Sequence, residues 1–175
     1  FDSVLPLFSE KQLEATDGSM LGYLVMAFGL GSLVALFFVS GLRNDKWKAQ
    51  ALLLTSVASG VTPMILGVSG TLPLAFLASF GMGASQASFM ALTNTYVQSI
   101  CPDRLRGRIS SLYILHAGGI MAFANLGFGF IADIFSATPV LVVASGIYTV
   151  IILLLFASQP LLRRLSATGK IVLAQ

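Results

Sequence analysis

Charged side chains are scarce in this chain. Asp, Glu, Lys and Arg make up 10% of the 175 residues, whereas soluble domains carry roughly 25%. Long stretches hold none of them, and the longest runs between Lys48 and Asp103. Because about 20 apolar residues cross the ~30 Å hydrocarbon core of a bilayer, these stretches are long enough to span a membrane. The sequence therefore excludes a soluble globular protein and a nucleic-acid-binding protein.

Residues that support chemistry are also few. Cys101 is the single cysteine and His116 the single histidine, so the chain can form no internal disulfide. We find no pair of carboxylates, no metal-ligand spacing and no nucleophile next to a base. The sequence therefore predicts no enzyme, no cofactor and no metal site.

Apolar residues are abundant, at 56% of the chain with a mean hydropathy of +0.89. The apolar runs are continuous and lack the alternation of a membrane β-barrel, and the Ser69–Pro73 cluster breaks the longest run in two. We predict an all-α polytopic membrane protein with complete helices at about 19–42, 49–68, 73–100, 109–132 and 139–156. Residues 1–17 are interpreted as the end of a truncated sixth helix with an outer loop, and 161–175 as a cytoplasmic tail.

Basic residues predict the orientation. Nine of the 10 Lys and Arg residues fall in the loops after the first and third helices and in the tail, and only Lys11 falls on the other side. Lys and Arg in short loops mark the cytoplasmic side. We therefore expect these loops and the C-terminus to be cytoplasmic.

Four polar side chains in the third and fourth helices are candidates for lining a substrate cavity. Such groups are costly in a span unless they face a cavity or a partner helix. Gln86 and Asn94 could either contact substrate or form hydrogen bonds between helices. His116 and Asn125 lie nine residues apart and so on opposite helix faces, so at most one faces a shared cavity. We expect the third and fourth helices to face the interior and the second and fifth to be peripheral.

Two side chains are candidates for moving protons. His116 is the sole histidine and could relay protons, since imidazole serves as a proton shuttle in many proteins, although no carboxylate partner is evident for it in the sequence. Asp2 lies in the apolar segment at the start of the chain, and an intramembrane carboxylate suggests a functional site. We take Asp2 as the candidate for proton coupling.

The most distinctive motif follows the third helix: Asp103, Arg104, Leu105, Arg106, Gly107 and Arg108. Its arginines either supply topology-setting charge alone or form a latch by bonding the exposed carbonyls of neighbouring helix ends. Asp103 suits a helix start, and Gly107 permits backbone conformations that other residues resist.

This motif resembles a known family. The stretch from Pro102 to Tyr113 is similar to the segment between the tenth and eleventh helices of major facilitator superfamily transporters. Within that superfamily it resembles the bacterial efflux branch of enterobactin exporter-like and transmembrane secretion effector proteins. Further similarities to the seventh, eighth and eleventh helices and to the tail occur at Leu5–Phe8, Gly22–Gly41, Gly127–Asp133 and Pro160–Arg164.

The resemblance implies the C-terminal six-helix half of a twelve-helix transporter. This agrees with a chain that opens on Phe1 rather than Met and reads as a fragment or processed piece. It implies proton-coupled efflux or antiport of a small hydrophobic compound, drug or siderophore by alternating access. The partners would be the bilayer, the other half of the same transporter and the substrate. The protein would be located in the bacterial cytoplasmic membrane.

One loop departs from the family pattern. After the eighth helix the family often carries a gating motif, which Gly41, Asp45 and Lys46 fit, but Trp47 and Lys48 replace its final Gly-Arg. The alternative hypothesis is a membrane-embedded structural or partner-binding module that does not transport.

Overall fold

The computed structural model describes residues 19–135 and 137–159, and within them the chain is helical without strands. All five long helices are long and apolar enough to cross a membrane, which confirms the predicted all-α polytopic membrane fold. The segments 1–17 and 161–175, and with them Asp2, lie outside the described residues. The helices are α1 (Ser19–Ser40), α2 (Asp45–Val68), α3 (Leu72–Ile100), α4 (Arg106–Phe135) and α5 (Ala137–Ser158), with a 3-10 turn at Asp103–Leu105.

Local capping explains where α2 begins. The Asn44 side chain accepts a hydrogen bond from the backbone N–H of Lys46 at 2.9 Å, which satisfies one of the unpaired donors of the first turn. Asp45 adds a negative charge at the positive end of the helix. Helix α2 therefore starts within the basic loop at Asp45, before the apolar run whose beginning predicted a start at about residue 49.

The backbones of α1 and α3 are in direct contact. A Cβ atom added to Gly31 would collide with the backbone carbonyl of Phe80, and one added to Gly83 would collide with that of Phe28. The Ser32 hydroxyl lies 2.9 Å from the carbonyl oxygen of Phe28 and 3.1 Å from that of Gly83. Small residues that allow such close approach are the usual basis of helix packing in membranes.

Helix α2 lies between α3 and α5 in the described bundle, although the sequence predicted that it is peripheral. A Cβ on Gly67 would lie 3.1 Å from Leu141 Cβ, and one on Gly60 would collide with the Thr149 side chain. On the α3 side, Gly81 contacts Thr62. The prediction weighed only strongly polar side chains, whereas membrane helices associate largely through small residues.

Helix α4 lies at the margin of the described bundle, although the sequence predicted that it faces the interior. None of the residues whose burial is described in its most apolar 18-residue stretch is buried. Large side chains such as Phe123, Leu126 and Leu115 are strongly exposed among the described residues. The polar side chains of α4 thus do not bring the helix into the centre of this part of the chain.

The apolar core lies towards the ends of the helices that are remote from the basic loops. Its buried residues are Leu24, Leu66, Ala75, Ala78, Met82, Ala132, Val140 and Leu141.

We predict that Gly31→Ala destabilises the protein, whereas Gly29→Ala on the same helix does not. The Gly31 methyl group would push α1 away from the α3 backbone, and overpacking of this kind costs about 1–3 kcal/mol. A Cβ on Gly29 meets nothing within 4 Å, so this control should gain the higher helix propensity of alanine. Unfolding of the purified protein in bicelles by SDS measures both, and equal stability of the two variants would contradict the packing model.

Candidate substrate cavity

A cavity of about 260 Å³ lies between α2, α3, α4 and α5. Each of these helices contributes at least one side chain to its wall. Most of the wall is apolar, and methionine is frequent in it, which gives a surface that adapts to differently shaped apolar groups. The lining residues are Ser59, Met82, Gln86, Phe89, Met90, Tyr113, Met121 and Tyr148.

Gln86 supplies the amide of the cavity wall. It lies on α3 four residues from both Met82 and Met90, and this spacing puts the three side chains on one helix face. All three border the cavity, and Gln86 is half-buried. Its side chain can both donate and accept hydrogen bonds, so it can bind a polar group on an otherwise apolar molecule.

A second polar site in the wall links α2 to α5. The Ser59 hydroxyl lies 2.8 Å from the carbonyl oxygen of Ser56 and 3.2 Å from the Tyr148 hydroxyl. A hydroxyl has one proton. When Ser59 donates to Ser56, its oxygen is therefore free to accept a hydrogen bond from Tyr148.

Ser59, Tyr148 and Tyr113 were not identified from the sequence as cavity residues. Ser59 and Tyr148 lie on helices that were expected to be peripheral, and Tyr113 was assigned to the headgroup level. The available signal was the hydroxyl-rich composition of the α2 interior together with the isolated tyrosine in α5.

The other predicted cavity residues do not border this cavity. Asn94 lies eight residues beyond Gln86, about 12 Å along the helix axis, and accepts a hydrogen bond from the Gln98 side chain at 3.1 Å. His116 is exposed on α4, and Asn125 is half-buried on the same helix. The structure therefore brings only Gln86 of the four candidates to the cavity.

The cavity wall carries no charged residue. Its polar groups are one amide and hydroxyls, which bind neutral hydrogen-bonding groups without requiring a counter-charge. Within residues 19–135 and 137–159, no three His, Cys, Asp or Glu side chains are grouped closely enough to hold a metal ion.

The basic loop after α3 makes polar contacts that join helix ends. Arg106 donates from Nε to the carbonyl oxygen of Gln98 at 3.3 Å and pairs with Asp103 at 3.2 Å. Tyr96 donates to the carbonyl oxygen of Asp45 at 3.2 Å, which joins the end of α3 to the start of α2. Arg106 thus makes the carbonyl contact that the latch interpretation requires, while Arg104 and Arg108 are exposed.

The expectation for Gly107 needs correction. This residue lies in the first turn of α4 with helical backbone, and an added Cβ would meet nothing within 4 Å. Other residues could therefore adopt the same backbone conformation at this position. The change in chain direction occurs earlier, at the 3-10 turn of Asp103–Leu105.

Comparison with known proteins identifies a family. A family model described as transmembrane secretion effector matches residues 2–170. The match extends over all five helices. No curated protein and no solved structure matches the chain.

We predict a measurable coupling between Ser59 and Tyr148. Ser59→Ala and Tyr148→Phe each remove the bond between α2 and α5, so the double variant should lose less stability than the sum of the single losses. Hydrogen bonds between membrane helices average about 0.6 kcal/mol in such cycles. SDS unfolding of the four proteins measures the coupling, and strictly additive losses would show that the two hydroxyls do not interact.

Proposed function

The chain belongs to the transmembrane secretion effector family of the major facilitator superfamily, and on this basis we propose that it acts in proton-coupled efflux. The transported molecule would be a small hydrophobic compound, a drug or a siderophore. The observation that carries the proposal is the family match over residues 2–170. The chain would work by alternating access, with the bilayer as its surroundings.

We propose that this chain supplies the second six-helix half of the transporter. In transporters of this superfamily, two halves rock against each other around a site at their interface. Support comes from α4, whose apolar side chains are broadly exposed within the described residues. The other half of the same transporter would cover part of this surface.

The cavity next to Gln86 supports the substrate class. Its volume of about 260 Å³ is slightly below the range of roughly 300–1,000 Å³ for complete small-molecule sites. It would hold the apolar part of a substrate while Gln86 binds a polar group. Asn94 and Asn125 would contact the substrate in other positions along the pathway.

We propose Asp2 and His116 as the proton-coupling residues, because carboxylate and imidazole side chains can bind and release protons. Asp2 remains the carboxylate candidate by its place in the apolar segment at the start of the chain. His116 is the single histidine of the chain, and imidazole is a side chain that proteins use to relay protons.

We propose that the basic ends of the helices lie in the cytoplasm of a bacterial cell, at the inner membrane. The support is the distribution of Lys and Arg among the loops, since short cytoplasmic loops carry the positive excess. The motif around Arg106 then ties helix ends together on that side.

We predict that Gln86→Ala weakens transport. Inverted vesicles containing the full-length transporter should accumulate a hydrophobic dye when a proton gradient is imposed, and a protonophore should abolish this uptake. Loss of one hydrogen bond of about 0.5–1.5 kcal/mol should raise the KM for the dye about two- to tenfold. Asn94→Ala tests the second amide in the same assay.

Thr95→Ala is the matched control on the same helix. The Thr95 hydroxyl is exposed and bonds only within its own helix, to the carbonyl oxygen of Ala91. Transport should therefore be unchanged in this variant. Wild-type kinetics in both amide variants would remove Gln86 and Asn94 from the substrate pathway, and uptake without a proton gradient would contradict the coupling.

We predict that Cys101 is labelled from the cytoplasmic side only. This single cysteine is half-exposed at the basic end of the bundle. A membrane-impermeant maleimide should label it in inverted vesicles and not in intact cells. In a Cys101→Ser background, Gly70→Cys places a thiol in the exposed turn between α2 and α3 at the opposite end. That variant should show the reverse pattern, and labelling of Cys101 in intact cells would invert the proposed orientation.

A further inference from the structure

A groove of about 650 Å³ runs between α2 and α5 near the basic ends of the helices. We call it the α2/α5 groove. Phe89 and Thr93 of α3 form part of its wall, and apart from its few polar groups the surface is apolar. Its walls include Leu53, Leu54 and Val57 of α2 and Ile152 and Phe156 of α5.

The distribution of glycine along α2 explains where the groove lies. At Gly67 and Gly60 the helix packs directly against α5 side chains. From residue 57 back to residue 50, α2 carries no glycine and presents leucine and valine side chains instead. The two helices therefore cannot approach each other as closely in this part, and a groove opens between them.

A basic residue stands at the end of the groove. Gln50 borders it, and Lys46 lies one turn earlier on the same face of α2, since residues four apart are neighbours on a helix surface. Lys46 is exposed. Lys48, by contrast, pairs with Asp45 at 3.6 Å.

A buried hydroxyl lies in the wall. Within the part of the chain that the structure describes, the Thr93 hydroxyl oxygen is buried and has no hydrogen-bond partner. A threonine in a helix usually bonds the carbonyl four residues earlier, and an unpaired buried polar group costs about 1–3 kcal/mol. The hydroxyl oxygen is closed off from the groove, so Thr93 adds no accessible polar group to the wall.

The depth of these groups matches the layers of a bilayer. Helix α3 has 29 residues and is thus about 43 Å long, close to the full bilayer thickness of roughly 40–45 Å. Thr93 lies seven residues before the end at Ile100, about 10 Å along the axis. This places it near the boundary of the hydrocarbon core, where the ester groups of phospholipids lie, with Lys46 further out.

We propose that the α2/α5 groove binds an anionic glycerophospholipid. An acyl chain occupies the apolar groove, and Lys46 binds the phosphate-bearing headgroup. The site is separate from the cavity at Gln86, and it does not depend on the proposed transport activity.

The short length of the groove favours a lipid over a partner transmembrane helix. Along α2 it extends only from Gln50 to Val57, about 10 Å of helix. A partner transmembrane helix needs contact over much of a ~30 Å span, and the packed glycine positions close the groove before that length is reached. A single flexible chain with a charged head fits both the short apolar groove and the basic rim.

Trp47 can report the presence of lipid near Lys46 by its fluorescence, because it is the single tryptophan of the chain and is exposed next to Lys46. The protein is reconstituted in phosphatidylcholine vesicles containing a small fraction of lipid with brominated acyl chains, which quench tryptophan fluorescence at short range. At equal fractions, brominated phosphatidylglycerol should quench Trp47 more than brominated phosphatidylcholine. One lysine contributes about 1 kcal/mol towards an anionic lipid, so the relative affinity should be about fivefold.

Two variants and two controls test the separate parts of the site. Lys46→Gln should abolish the preference for phosphatidylglycerol. Val57→Phe fills the groove and should remove the preference as well, whereas Val61→Phe, one turn further along α2 and outside the groove, should retain it. Thr93→Val keeps the side-chain volume and removes only the buried hydroxyl, so it should leave the preference unchanged.

The outcomes decide the proposal. Equal quenching by the two brominated lipids in the unmodified protein would overturn it, because the groove would then select no headgroup. A preference that survives in Val57→Phe would also overturn it, since the basic loop would then attract the headgroup without the groove. Loss of transport with retained lipid preference would count against the proposed function alone.

Discussion

The backbones of α1 and α3 meet at Gly31 and Gly83, and the placement of the other helices depends on this contact. Each glycine occupies a position where a side chain would strike a carbonyl group of the other helix. With α1 held on one side of α3, the opposite side of α3 is available for α2, which in turn carries α5. The face of α3 that includes Gln86 then borders the cavity, so a residue proposed to contact substrate is positioned by glycines that lie outside the cavity.

The apolar core and the two proposed binding sites lie at different levels of the bundle. Core residues such as Leu66 and Leu141 pack together near the ends remote from the basic loops. The cavity and the α2/α5 groove lie nearer the basic ends, and Phe89 borders both of them. One aromatic side chain therefore separates a site proposed for substrate from a site proposed for lipid, and a change in its rotamer would alter both volumes together.

The sequence predicted the class of fold well because the signal is physical and local. Hydrocarbon excludes charge, so gaps between charged residues such as Lys48 and Asp103 reveal spans without any knowledge of packing. The order of packing was harder to predict. A glycine in the sequence does not say which helix it faces, so nothing marked Gly60 and Gly67 as the contacts with α5, and the position of α2 between α3 and α5 was not predicted. Gln86 was found because an amide in a span is conspicuous. Tyr148 and Ser59 were missed because hydroxyls can bond within their own helices and so give a weaker signal.

The glycine contact between α1 and α3 also has a chemical consequence. Where a carbonyl oxygen lies at the place of an absent side chain, it faces the Cα hydrogen that glycine retains there. Gly31 and Gly83 each offer such a hydrogen to the other helix, which gives two reciprocal Cα–H···O interactions of about 0.5–1 kcal/mol each. These interactions use backbone atoms only and carry no formal charge. The junction of α1 and α3 is therefore expected to hold with equal strength across the pH range and salt concentrations that a transporter meets on the two sides of a membrane.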